Sequence, residues 1–219
     1  ETALLRSLSD IHPDVRSEAA RCLGRWGHSS SEIESALLHV LDDDARMVRL
    51  YAIESLGSLQ QPSKNVVAAL LQILKNPKDD LGIWAARSLA KLSRSSPEIV
   101  TSLLDSLNNK AANVRRNAID GLGELIMPSP DIAAALLHSL KDKSSSVRYY
   151  AAYGLGGLAM PSPNIVTSLL NALSDNDDMV RWQSIRSLGR LGKASDEVLT
   201  ALLHALNDNN ARVRYWSAY

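Results

Sequence analysis

A period of 33 residues runs through the whole chain without an insertion or deletion. A Leu-Leu pair begins at Leu4, Leu37, Leu70, Leu103, Leu136, Leu169 and Leu202, and a Val-Arg pair at Val15, Val48, Val114, Val147, Val180 and Val213. Self-similarity at a fixed period of this length marks a solenoid array, whose units bury their apolar faces only against their neighbours. The expected fold is all-α: a right-handed α-solenoid of seven 33-residue helix pairs, the first and last truncated. The repeats fall at about 1–29, 30–62, 63–95, 96–128, 129–161, 162–194 and 195–219 of a single repeat domain.

Each repeat reads as helix A, a turn and helix B. In the second repeat Ile33, Leu37, Leu38 and Leu41 share one face at helical spacing, with Ser31 placed to cap the N-terminus. Asp42-Asp43-Asp44 breaks the run. Val48, Ala52, Ile53, Leu56 and Leu59 then mark helix B, with Gly57 near its end. Pro62, Pro97, Pro128, Pro130, Pro161 and Pro163 stand between repeats, where proline stops helix B and fits the first turn of helix A. Ala19, Ala52, Ala85, Ala118 and Ala151 suit close approach of neighbouring B helices. The third repeat departs from the pattern, with Leu81-Gly82 in place of Val-Arg. That change reads either as neutral drift at one rung or as a weak joint.

A polar ladder accompanies the apolar one. Asp10, Asp43, Asn76, Asn109, Asp142, Asp175 and Asp208 precede helix B, and Arg16, Arg49, Arg115, Arg148, Arg181 and Arg214 open it. A turn carboxylate can accept from such an arginine in its own repeat or the next. The pattern D-x-x-x-x-V-R-x-x-A-[AI]-x-x-L-G-x-L resembles HEAT repeats, in the short form of phycobilisome-lyase-like repeat proteins, and covers all seven units. That resemblance implies an architecture and says little of activity. Near-identical units with variable outward residues also resemble the C-terminal recognition arrays of NACHT-type NTPase sensors, which implies the ligand-sensing part of a larger protein.

Lys plus Arg and Asp plus Glu both total 24, so no global field draws in nucleic acid or an anionic membrane. No apolar run reaches the ~18 residues of a membrane span. The one cysteine, Cys22, has no internal disulfide partner, which fits a reducing compartment and a cytoplasmic protein. Glu1 aligns with Glu34 and Tyr219 with Tyr153, inside repeats, so the chain reads as a piece of a longer array.

Number helix B from its Val at zero. At about 100° per residue, positions 0, +4, +5, +8 and +11 gather on the core side, +2, +6 and +10 lie opposite, and +3 sits at their flank. In HEAT-type arrays helix B lines the concave surface, so these outward positions are expected to line a groove. Of ten aromatic residues, nine fall at +2, +3 or +6: Tyr51, Trp84, Tyr149, Tyr150, Tyr153, Trp182, Tyr215, Trp216 and Tyr219. Trp26 alone takes a core place. Tyr and Trp beside Arg on a solvated face form the composition of interface hot spots. The expected partner is a protein or peptide held in the concave groove, chiefly by Tyr149, Tyr150, Tyr153, Trp182, Arg186, Tyr215, Trp216 and Tyr219, with Trp84 and Arg116 contributing. At +3, Tyr51, Trp84, Tyr150 and Trp216 also fit packing against a neighbouring repeat.

The same residues carry little chemistry. His39, His138 and His204 share one place in helix A, but their repeats are not adjacent, so they read as surface histidines. No His-Glu pair occurs, which counts against the di-iron HEAT-repeat hydroxylases, and no H-x-x-x-H, CxxC, G-x-S-x-G or P-loop is present. Cys22 lies near Arg21 and Arg25 without a base partner. The expectation is a non-enzymatic scaffold with no cofactor and no metal. Two alternatives stand beside it: a bilin-lyase-like subunit gripping a tetrapyrrole in the aromatic groove, and a HEAT-like nucleic-acid binder.

Overall fold

The computed structural model describes residues 2–27, 30–93, 98–125, 129–158, 162–192 and 195–218. Tyr219, Glu1 and the inter-repeat prolines 97, 128 and 161 lie outside the described residues. The chain divides into two compact blocks, Glu1–Gly121 and Leu122–Tyr219. The first carries the pairs α1 (Thr2–Ser7) and α2 (Pro13–Trp26), α3 (Ser31–His39) and α4 (Arg46–Leu56), α5 (Lys64–Lys75) and α6 (Gly82–Leu92), then α7 (Glu98–Ser106) and most of α8 (Ala112–Gly123). The second carries α9 (Pro130–Ser139) and α10 (Ser145–Gly156), α11 (Pro163–Asn171) and α12 (Asp178–Leu191), then α13 (Asp196–Ala205) and α14 (Ala211–Ala218). The fold is all-α, an α-solenoid, with no strand among the described residues.

Local chemistry sets the helix starts. Ser30, rather than Ser31, caps α3, its hydroxyl accepting from the Ile33 N–H at 3.2 Å. Ser129 and Ser195 do the same for Ile132 and Val198, and Pro130 and Pro163 occupy first-turn places where no N–H is needed. In the turn before each helix B an Asp or Asn oxygen accepts the backbone N–H two residues on, as Asp43 does from Ala45 and Asp208 from Asn210, both at 2.8 Å. These side chains bridge the break that separates the helices.

Within each block B helices pack on B helices, α2 on α4 and α4 on α6 in the first, α10 on α12 and α12 on α14 in the second. The core is the expected one: Val48, Ala52, Ile53, Leu56 and Leu59 are buried, as are Val147, Ala151, Leu155 and Leu158. Trp26 departs from expectation and is 46% exposed. Its counterparts Leu59 and Leu92 fill a leucine-sized slot. An indole is larger, and Gly27, at φ 70°, ends α2 directly after it.

The B helices interlock through a pairing that apolar periodicity does not reveal. A serine at +7 of one repeat meets the glycine at +9 of the one before at Gly24 and Ser55, Gly57 and Ser88, and Gly156 and Ser187. A Cβ on Gly57 would stand 2.7 Å from Ser88 Cα, and one on Gly156 2.8 Å from Ser187 Cα. The serine hydroxyls bridge the contact, Ser88 donating to the Ile53 carbonyl at 2.9 Å and Ser187 to the Ala152 carbonyl at 2.7 Å.

The polar ladder joins one repeat to the next. Arg16 donates to both carboxylate oxygens of Asp43 (2.7 and 2.9 Å), Arg148 to Asp175 (2.6 and 2.7 Å) and Arg181 to Asp208 (2.8 and 2.9 Å). Each also donates to a carbonyl of its own turn, for example Arg148 to Asp142 at 2.8 Å. At the irregular third repeat the missing arginine is matched by a neutral Asn109 in the following turn. Gly82 is buried, and a Cβ there would collide with the Asn117 amide, so packing against α8 accounts for the glycine. The division between compact blocks falls at Gly121, not at this repeat.

Candidate partner-binding site

Seven of the nine periodic aromatics lie in the second block by sequence, and the structure brings the described ones into one run. Tyr150 meets Tyr149 edge-on at 5.2 Å, and Tyr149 meets Trp182 at 5.8 Å and 60°. Trp182 stacks on Trp216 at 6.2 Å and 18°, and Trp216 meets Tyr215 edge-on at 5.5 Å. The rings therefore link α10, α12 and α14, with centroid spacings that suit aromatic pairs. Between repeats the run uses two contacts, Tyr149 at +2 with Trp182 at +2 of the next repeat, and Trp182 with Trp216 at +3 of the next, while adjacent +2 and +3 rings meet within α10 and α14.

That geometry corrects the expected outward set. Trp182 is only 8% exposed and packs among Ile185, Ala205 and Val213, with Tyr149, Leu173, Leu202 and Trp216 around it. Its indole N–H points to Met179 Sδ at 3.1 Å. The cause is stacking. A helix held between two neighbours has two covered flanks, and +2, at about 200° from the zero position, adjoins the +9 glycine at about 180° that touches the following repeat. Position +3, at about 300°, adjoins +7 at about 340° on the other flank. Leu50 at +2 and Asn117 and Gln183 at +3 are buried for the same reason. Only +10 faces outward fully, as at Arg25, Ser58, Lys91 and Arg190, whereas +6 is half-buried at Tyr153 and Arg186 and fully buried at Asp120. Tyr149, Tyr150, Tyr153 and Trp216 are half-buried, and Tyr215, at +2 of the last repeat in this chain with no further helix B to cover it, is 63% exposed.

Arginines close over this run. The Arg186 guanidinium carbon lies 5.5 Å from the centre of Trp216, that of Arg190 5.4 Å from Tyr153, and that of Arg212 5.6 Å from Trp182. These are cation–π distances. Burial pushes the Tyr149 hydroxyl pKa up, against the pull of Arg186 and Arg212. Arg212 stands outside the three columns, one residue before a repeat Val, and no periodic signal points to it.

The first block treats the same face differently. Trp84 and Arg116 sit there, apart from the aromatic run. Trp84 lies 5.6 Å under Arg87, and Arg116 donates to the Asn117 amide oxygen at 3.1 and 2.7 Å. Arginines at +6 are neutralised: Arg21 pairs with Glu18 at 2.6 Å, and Arg87 with the fully buried Asp120 at 2.7 Å. His39, His138 and His204 are exposed, and the Cys22 thiol lies 3.5 Å from a Glu18 oxygen. Among the described residues no group of three or more His, Cys, Asp or Glu side chains could hold a metal, and no helix is long and apolar enough to cross a membrane.

Comparison with known proteins agrees with this geometry. The profile described as HEAT repeats matches residues 1–90, 67–148 and 133–219. No curated protein matches the chain. Among solved structures, that of Escherichia coli YibA is similar over 97% of this chain and 78% of its own, at 22% identity and a TM-score of 0.63. Yeast importin-β (Kap95p) is similar over 99% of this chain and 34% of its own, at 15% identity and a TM-score of 0.70. The same protein in a structure with RanGDP gives a TM-score of 0.69 over the same shares. With the profile spanning both blocks, the chain belongs to the HEAT-repeat family.

Proposed function

We propose that the chain is a non-enzymatic scaffold whose helix-B face binds a protein or peptide, with the second block as the main contact. The supporting observation is the aromatic run from Tyr150 to Tyr215 with Arg186 and Arg190 laid over its neighbouring rings. Tyr, Trp and Arg are the residue types that contribute most in protein interfaces, the rings because they bury much area at little entropic cost and Arg because its planar guanidinium offers several donors at once. Within that face the roles divide. Tyr153, Arg186, Arg190 and Tyr215 meet the partner, whereas Trp182 is the rigid floor beneath them. A fold of this kind contacts another protein in the importin-β structure with RanGDP.

The test is selection of a displayed random-peptide library on the full chain, with selected peptides re-measured on the Tyr153→Ala/Tyr215→Ala double variant. Binding by the parent and loss of at least tenfold in the variant, with both melting alike, supports the reading. Equal binding by both proteins overturns it.

A further inference from the structure

The second block differs from the first in what neutralises its outward arginines. At +6 the chain reads Arg21, Glu54, Arg87, Asp120, Tyr153, Arg186 and Tyr219. In the first block Arg87 finds its carboxylate in the next repeat of this column and Arg21 finds one on its own helix. In the second block the acidic places are tyrosines. Arg186 and Arg190 are seated on rings and, among the described residues, have no carboxylate partner. A guanidinium over an aromatic ring is positioned and partly desolvated, yet its N–H groups remain open to an acceptor. These two groups, with Arg212 likewise seated on Trp182, make a one-signed local patch with no carboxylate partner among the described residues, on a chain of zero net charge.

We infer that this patch takes an acidic segment of a protein partner, whose Asp or Glu carboxylates pair with Arg186 and Arg190 while an apolar side chain lies against Tyr215. The inference rests on the peptide-binding reading above and adds the chemistry of the peptide. Spacing follows from the seats of the two arginines. Arg190 leans onto Tyr153 of α10, and Arg186 onto Trp216 of α14, so the guanidinium groups splay toward opposite neighbours of α12. Adjacent packed helices stand about 8–10 Å apart, so groups lying over the two junctions on either side of α12 are about one such spacing apart, and two carboxylates separated by roughly that distance fit. An extended chain rises about 3.3 Å per residue, which places the acids about three residues apart on a segment crossing the B helices. Three cations are too few for a phosphate backbone, whose affinity comes from neutralising many charges at once.

The experiment uses the full chain and a displayed library of random 12-residue peptides. Enriched sequences are then synthesised with each Asp or Glu replaced by Asn or Gln, and measured by fluorescence anisotropy at low and high salt. The expected result is enrichment of Asp and Glu about three positions apart, and at least tenfold weaker binding of the neutralised peptides. Loss of the same size is expected in Arg186→Gln/Arg190→Gln, with none in Arg21→Gln, all three proteins melting alike. Enrichment of neutral or basic peptides that still need Tyr153 and Tyr215 would overturn the acidic partner and leave the peptide-binding reading standing. No enrichment above the Tyr153→Ala/Tyr215→Ala variant would overturn both. A single-stranded oligothymidylate bound more tightly than any selected peptide would overturn the inference in favour of nucleic acid.

Discussion

Gly156 and Gly189 hold the same +9 place in successive repeats and have opposite surroundings. Gly156 abuts Ser187, whereas nothing lies within 4 Å of a Cβ on Gly189. Replacing glycine by alanine in a helix gains roughly 0.5–1 kcal/mol of propensity where space allows. Overpacking costs about 1–3 kcal/mol where it does not. Gly189→Ala is therefore expected to raise the melting temperature by a few degrees, and Gly156→Ala to lower it, both read by circular dichroism. Equal behaviour of the two variants would mean that the interlock at Ser187 is slack. The difference is local to this 219-residue chain: Gly156 faces Ser187 at +7 of the next repeat, whereas the +7 place opposite Gly189 would fall at 220.

At the scale of a helix, α12 shows how a face is divided. Its Val180, Ile185 and Leu188 enter the core, Ser187 locks it to α10, and Trp182 fills the junction with α14. Arg186 and Arg190 are what remains for a partner. Trp182→Ala is accordingly expected to destabilise by about 3–5 kcal/mol, as large-to-small changes at buried aromatic sites do. Tyr153→Ala, on the outward sector, should cost about 1 kcal/mol or less. Chemical denaturation of the two variants decides the matter, since comparable losses would contradict the division of the face. The aromatic columns were legible from the repeat itself, because nine of ten rings share three places. Which of them are floor and which are contact was not. A helical wheel distinguishes inside from outside for one helix, but a stacked helix has two further covered flanks.

For the whole molecule, the ion-pair ladder makes stability depend on pH. The Arg181 hydrogen bond holds Asp208 below the ordinary carboxylate pKa. Burial pushes Asp175 up, but the Arg148 hydrogen bond and the Asp177 N–H outweigh it and the net shift is downward. A depressed folded pKa means that the stabilisation is complete above the unfolded value of about 3.9 and is lost as pH falls through the folded value. Melting should thus be nearly level from neutral pH down to about 5 and fall below about 4. The double variant Asp175→Asn/Asp208→Asn should melt lower at neutral pH, and the gap to the parent should close in acid. A gap that stays constant across the titration would remove the ladder as its cause. Tyr149 acts with the opposite sign: its raised folded pKa contributes stability that is lost above the unfolded value of about 10.

Architecture came from the sequence alone, since a fixed 33-residue period with two apolar stripes leaves each unit no way to bury its face except by stacking. The arginine–carboxylate ladder followed from the same repetition, although its direction, with Arg16, Arg148 and Arg181 reaching forward to the next turn, required coordinates. Tertiary structure decided the rest: Trp182 turned inward, Trp26 outward, Gly82 making room for Asn117, and Arg186 and Arg190 lying on rings without an acid among the described residues. Periodicity fixes the direction in which a side chain leaves its own helix. Whether that direction ends in solvent or in the next helix depends on neighbours a full repeat away.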